Sequence, residues 1–236
     1  MSYLGILALL SLLIVIHEAG HLLAAKSVGI PIASFAVGFG PKLWARKWGR
    51  TEYSLRAFPL GGFVLPDIED EEEFRAIPLR RRLVFFFGGP LANLAAAVPL
   101  FALLNGLRGG GFSFHGTVIA PFGQLVRSCG ALLAALPGMF AKPDALSGIV
   151  GIVVEGGRLA HSGRLVEVAL SLTISLAVLN LLPVPVLDGG QVVLGCLEQA
   201  FPRLVRLRVP LTIMGMLALA FLMIYSNVRD VIRFWV

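Results

Sequence analysis

The chain has 236 residues, of which 57% are hydrophobic and 14% charged, against roughly 45–50% and about 25% in soluble domains. That imbalance, with a mean hydropathy of +0.84, excludes an ordinary soluble enzyme and points to a single bilayer-embedded domain over residues 1–236. The net charge of +6 does not signal nucleic acid, because the basic residues flank apolar stretches, where topology and anionic lipid explain them.

Four stretches approach the roughly 20 residues needed to cross about 30 Å of hydrocarbon: 3–25, 83–107, 166–182 and 209–225. The expected fold is an all-α polytopic membrane protein with about four transmembrane helices. The first stretch has no basic leader and no small-residue cleavage site, so it reads as a retained anchor. From Ile30 to Pro66, Gly38, Gly40, Pro41, Gly49, Pro59, Gly61 and Gly62 punctuate short apolar runs, which predicts a membrane-associated β-hairpin region. Irregular backbone at membrane depth must be buried in protein or line a wet cavity. The hairpin is therefore expected to dip back towards the first span and to offer a free edge.

The acidic run from Asp67 to Glu73 reads as a solvated loop, and Arg80, Arg81 and Arg82 as the interfacial stop of the second span. Lys26, Lys42, Arg46, Lys47, Arg50 and Arg56 precede that arginine cluster, which assigns the first loop to the cytoplasm and both termini to the outer side. The interval from Arg108 to Arg164 holds no long polar domain. Within it, 122–140 reads as an interfacial helix, because Gly130, Pro137, Gly138 and Arg127 weaken it as a span. Cys129 and Cys196 fall on opposite sides of the membrane and read as unpaired thiols.

Chemistry concentrates in the first span. His17-Glu18-Ala19-Gly20-His21 matches H-E-x-x-H, which puts two imidazoles four residues apart on one helical face, within reach of one tetrahedral zinc. Glu18 projects beside the metal position, where a carboxylate can take a proton from water and return it to a leaving amine. Ionisable residues in a transmembrane helix cost at least ~2.5 kcal/mol each and mark function.

A catalytic zinc keeps three protein ligands, so one more must come from elsewhere. Asp188 is the expected third ligand. It follows the third span, after Pro183 and Pro185 break the helix, and Gly189 and Gly190 allow a tight turn behind it. His17 lies roughly 24 Å along a helix that begins outside. Asp188 arrives from the same side, so both are expected in the inner half of the membrane.

His17–His21, Phe39-Gly40-Pro41, Pro59-Leu60-Gly61-Gly62-Phe63, Gly89-Pro90-Leu91-Ala92-Asn93 and Asn180–Gly190 occur in an order that resembles the site-2 proteases, peptidase family M50. The likeness is strongest to the bacterial regulator-of-sigma-E protease branch. It implies a zinc endopeptidase of the bacterial inner membrane that cleaves transmembrane segments of single-span proteins, such as anti-sigma factors or signal-peptide remnants. It further implies His17, His21 and Asp188 as Zn2+ ligands and Glu18 as base. Asn180 is implied as a substrate-backbone binder, Asn93 as a residue orienting site or substrate, and Pro59, Leu60, Gly61, Gly62 and Phe63 as a substrate-pairing edge.

The sequence departs from that branch in lacking room for a PDZ domain between spans two and three, since such a domain needs about 80–100 residues. Two rivals remain. A metal transporter would need a polar path across the bilayer, and spans three and four offer little beyond Glu167, Ser171, Thr173, Ser175 and Thr212. A catalytically silent scaffold would not need so complete a set of residues.

Overall fold

The computed structural model describes residues 3–109, 113–141 and 147–235. Among the described residues, eight α-helices and one antiparallel strand pair follow in the order α1 (Tyr3–Ser27), β1 (Ile32–Trp48), β2 (Thr51–Pro66), α2 (Glu71–Ala76), α3 (Leu79–Arg108), α4 (Ala120–Ala141), α5 (Ile149–His161), α6 (Leu165–Asn180), α7 (Asp188–Ala200) and α8 (Arg208–Trp235). A π-helical turn, His115–Ile119, leads into α4, and a 3-10 turn, Pro202–Leu207, leads into α8.

Among the described residues, four helical stretches are long and apolar enough to cross a membrane: Tyr3–Ser27, Leu79–Arg108, His115–Gly138 and Pro202–Trp235. The segment expected to lie at the interface, 122–140, thus belongs to a helix of crossing length. In contrast, α6 has only 16 residues, about 24 Å of helix. Its path is extended by the non-helical residues that lead to Asp188. Large apolar side chains face outward on α8, with Leu217 64% and Phe221 72% exposed, a surface suited to acyl chains and not to water.

Small residues set the central helix crossing. A Cβ on Gly88 would lie 2.6 Å from the Ala24 Cβ and from the Gly20 carbonyl oxygen, and one on Gly20 would lie 2.5 Å from the Ala92 Cβ. Gly20 and Ala24 on α1 thus face Gly88 and Ala92 on α3, the small-xxx-small pattern that lets membrane helices approach closely. Beyond this crossing, α3 packs on α6 through Ala97, Phe101, Leu170, Ile174 and Val178, and Thr173 Oγ1 donates to the Asn93 carbonyl at 3.2 Å.

The strands lie where the glycine punctuation placed them, and they are longer than the apolar runs. β1 turns sharply at Gly38 (φ +88) and β2 at Gly61 (φ +122), backbone angles that side-chain-bearing residues rarely adopt. The strands thereby fold back on themselves. Phe35 and Val37 pair with Val64 and Gly62 on one side and with Tyr53 and Leu55 on the other, while Trp44–Trp48 pair with Thr51–Leu55. Gly62–Leu65 have partners only along β1 among the described residues, so they form an edge. A core of Leu22, Ala25, Ile30, Ile32 and Phe85 anchors this sheet to α1 and α3.

The acidic run is not wholly loop. Asp70 caps α2 by accepting from the Glu73 amide at 2.8 Å, while the Glu73 carboxylate accepts from the Glu69 amide at 2.8 Å, a reciprocal arrangement akin to a capping box.

Candidate metal centre

The helical period brings His17 and His21 to one face of α1, and both are buried. α3 passes directly behind them. Gly89 leaves the space that the rings occupy, since a Cβ there would sit 2.7 Å from His17 Nε2 and would overlap His21 Nε2. The Phe85 carbonyl accepts from His21 Nδ1 at 2.8 Å. With the proton held on Nδ1, the Nε2 lone pair faces the cavity, the tautomer a metal ligand needs.

His17 Nδ1 lies 3.2 Å from the Asn93 carboxamide. The amide oxygen and nitrogen of asparagine are interchangeable by a half-turn. Turning the group sets Oδ1, otherwise buried without a partner, as the acceptor for a His17 Nδ1–H. Asn93 is fully buried behind the ring, so its contact is with the histidine.

Asp188 reaches the same point from the other half of the chain. α6 ends at Asn180, and residues 181–187 turn through Pro183 and Pro185 before α7 starts at Asp188. Gly189 lies against the Leu181 carbonyl and Gly190 against that of Val184, where any side chain would overlap backbone. Gln191 braces the turn by donating to the Pro185 carbonyl, and its own oxygen accepts from Arg208 Nη2 at 2.6 Å.

Asp188 Oδ2 lies 3.2 Å from His17 Nε2 and 3.3 Å from His21 Nε2, and the two ring nitrogens are 3.2 Å apart. Zinc bonds of about 2.0–2.1 Å in a tetrahedron imply ligand separations of about 3.3 Å, so the three donors match one face of such a site. Oδ2 is moreover buried with no hydrogen bond. Lone pairs converging in this way would repel one another unless a cation lay between them, and the donor set fits zinc.

A cavity of about 340 Å³ opens on these donors, and Glu18, Gly62, Phe63, Val64, Asn180 and Gln191 are among the residues lining its wall. Glu18 and the sheet edge are in contact, since a Cβ on Gly62 would lie 3.0 Å from Glu18 Cγ, and Asn180 lines the same cavity. Asn180 Nδ2 donates to the Leu176 carbonyl at 3.0 Å. Gly61 stands at the bend leading into this edge. The side chains of Pro59 and Leu60 lie outside the described residues.

Of the residues expected from the sequence, His17, Glu18, His21, Asp188, Asn180, Gly62 and Phe63 meet at one cavity, and Asn93 stands behind His17. The sequence reading named Gly89 only within a motif and gave it no role, and it did not single out the Phe85 carbonyl or the Gln191–Arg208 brace. The run Gly88-Gly89-Pro90 was visible, but only its position against two imidazoles explains the glycine, and a backbone acceptor has no residue-type signal.

The model of peptidase family M50 matches residues 5–224 of the chain. A protein of Nostoc sp. named "Putative zinc metalloprotease" is 41% identical over 118 residues, covering 46% of this chain and 32% of the relative. A protein of Arabidopsis thaliana named a chloroplastic membrane metalloprotease is 44% identical over 108 residues, covering 42% of this chain and 24% of the relative. The chain thus matches about a third or less of the length of these relatives.

Proposed function

The chain belongs to peptidase family M50 and is a multi-pass membrane protein, and on that footing we propose that it is an intramembrane zinc endopeptidase acting on single-span membrane proteins. The observation that carries this reading is the triangle of His17, His21 and Asp188 donors, 3.2–3.3 Å on each side, with the Glu18 carboxyl on the wall of the same cavity. His17, His21 and Asp188 would hold the zinc, which would supply Lewis acidity towards the scissile carbonyl and towards water. Glu18 takes the proton of the attacking water and delivers it to the leaving amine. Phe85 and Asn93 keep the two imidazoles turned with Nε2 towards the cavity.

A peptide bond in a membrane helix is shielded by its own hydrogen bonds, so the substrate must unwind locally. The Gly62–Leu65 edge offers replacement partners by strand addition, and Asn180, which lines the same cavity, holds the substrate backbone. Anti-sigma factors and signal-peptide remnants are suitable substrate classes. The basic first loop supports an inner-membrane orientation with both termini outside and the site in the cytoplasmic half. The interval between α3 and α6 is too short for a PDZ domain of about 80–100 residues, and on this reading the cavity and the edge contribute to substrate choice.

Two results are expected in proteoliposomes carrying a tagged single-span substrate. Removing zinc with 1,10-phenanthroline abolishes cleavage and added zinc restores it, whereas cleavage indifferent to chelation contradicts the metallopeptidase reading. Gly61→Pro and Gly62→Pro lower turnover by at least about tenfold, because proline removes an edge donor and fixes φ; unchanged turnover would remove the edge from the mechanism.

A further inference from the structure

Away from the metal centre, α2, the start of α3 and α7 enclose a second cavity of about 320 Å³, lined in part by Arg75, Pro78, Leu79, Arg82 and Glu198. Among the described residues, the buried charges beside it do not balance. Arg82, Glu198 and Arg208 are each more than nine-tenths buried. Arg208 Nη1 donates to both Glu198 oxygens, at 2.8 and 3.1 Å, which neutralises that carboxylate. The Arg82 guanidinium is 3.9 Å from Glu198, beyond hydrogen-bond distance, and its Nε is buried with no partner. Two buried cations thus share one buried anion, and an uncompensated buried charge is costly.

The start of α3 adds to the imbalance. This 30-residue helix has no side-chain cap and no acidic residue in its first turn, which instead carries Arg80, Arg81 and Arg82. A helix N-terminus presents free amide donors and the positive end of the macrodipole, and favours anions. Leu79, which carries the first of those amides, lines the cavity that Arg82 lines, whereas the Arg81 and Arg82 amides already donate to the Pro78 carbonyl.

We propose that this cavity binds a phosphate oxyanion, with Arg82 as its chief cation, Arg75 at its side and the Leu79 and Arg80 amides at the start of α3 as donors. A phospholipid headgroup and inorganic phosphate share that chemistry. The site is separate from the catalytic cavity and stands whether or not the peptidase reading does.

The test uses the whole protein in neutral maltoside micelles, titrated with dioctanoyl phosphatidylglycerol, dioctanoyl phosphatidylcholine or inorganic phosphate, and reads the thermal unfolding midpoint. A ligand of the folded state raises that midpoint saturably. The expected result is a rise with phosphatidylglycerol and none with phosphatidylcholine. A rise with inorganic phosphate at similar concentration assigns the site to the free ion, and its absence assigns it to the lipid. Arg82→Gln abolishes the rise. Arg75→Gln, at a half-buried position where folding is less at risk, shifts the half-saturating concentration upward about fivefold. No saturable rise with either phosphate, an equal rise with phosphatidylcholine, or a titration unchanged by Arg75→Gln overturns the proposal.

Discussion

Glu18→Gln is expected to lower cleavage of a single-span substrate by about 10³-fold while leaving bound zinc unchanged. The substitution keeps the side chain's shape and removes only its capacity to hold a proton. Glu18 is not among the three converging donors, so the ligand set survives, and the neighbouring cavity wall of Gly62, Phe63 and Asn180 is untouched. General acid–base groups contribute about 10²–10⁴-fold, and a loss of 10³ corresponds to about 4 kcal/mol of transition-state stabilisation. The measurement pairs initial cleavage rates in proteoliposomes with zinc content by mass spectrometry. A variant that keeps its zinc and cleaves at the parent rate would remove Glu18 from the chemistry.

Asp188→Ala should act on the metal itself. It leaves two imidazoles where three donors met, and the loss should exceed the roughly 10–100-fold that partners behind a ligand contribute to affinity. Zinc measured after dialysis against a weak chelator should fall well below one equivalent, with cleavage abolished. The fold should persist, because the turn before α7 is held by the close packing of Gly189 and Gly190 and by the Gln191–Arg208 brace. Full zinc occupancy in this variant would mean that the carboxylate is not a ligand.

The donors were legible because each carries a local signature. His17 and His21 share a helical face by spacing alone, and Asp188 follows two prolines that must break the third apolar stretch. The hairpin was legible from glycine punctuation, although the double pairing of Phe35–Val37 depends on the bends at Gly38 and Gly61, which no pattern of apolar residues encodes. The 122–140 segment was less transparent. Pro137 lies near the end of α4, so the helix runs on to crossing length despite the residues that weaken its sequence signal.

Arg82 shows a different limit. In sequence it belongs to a basic triplet at a membrane boundary, and Arg80 and Arg81 are indeed exposed. Only folding buries the third arginine beside Glu198 and Arg208, residues more than a hundred positions away. Charge counting reads the sum of such a cluster and misses which member is buried. The same holds for Gly89, whose role is the volume it leaves to two rings.

Convergence of two imidazoles and one carboxylate on a single zinc ion underlies each of these expectations. Zinc K-edge X-ray absorption on the purified, active protein tests it most directly. The expected spectrum shows nitrogen and oxygen neighbours at about 2.0–2.1 Å with the multiple scattering of two imidazoles. Sulfur neighbours at about 2.3 Å, or a shell without imidazole scattering, would contradict it.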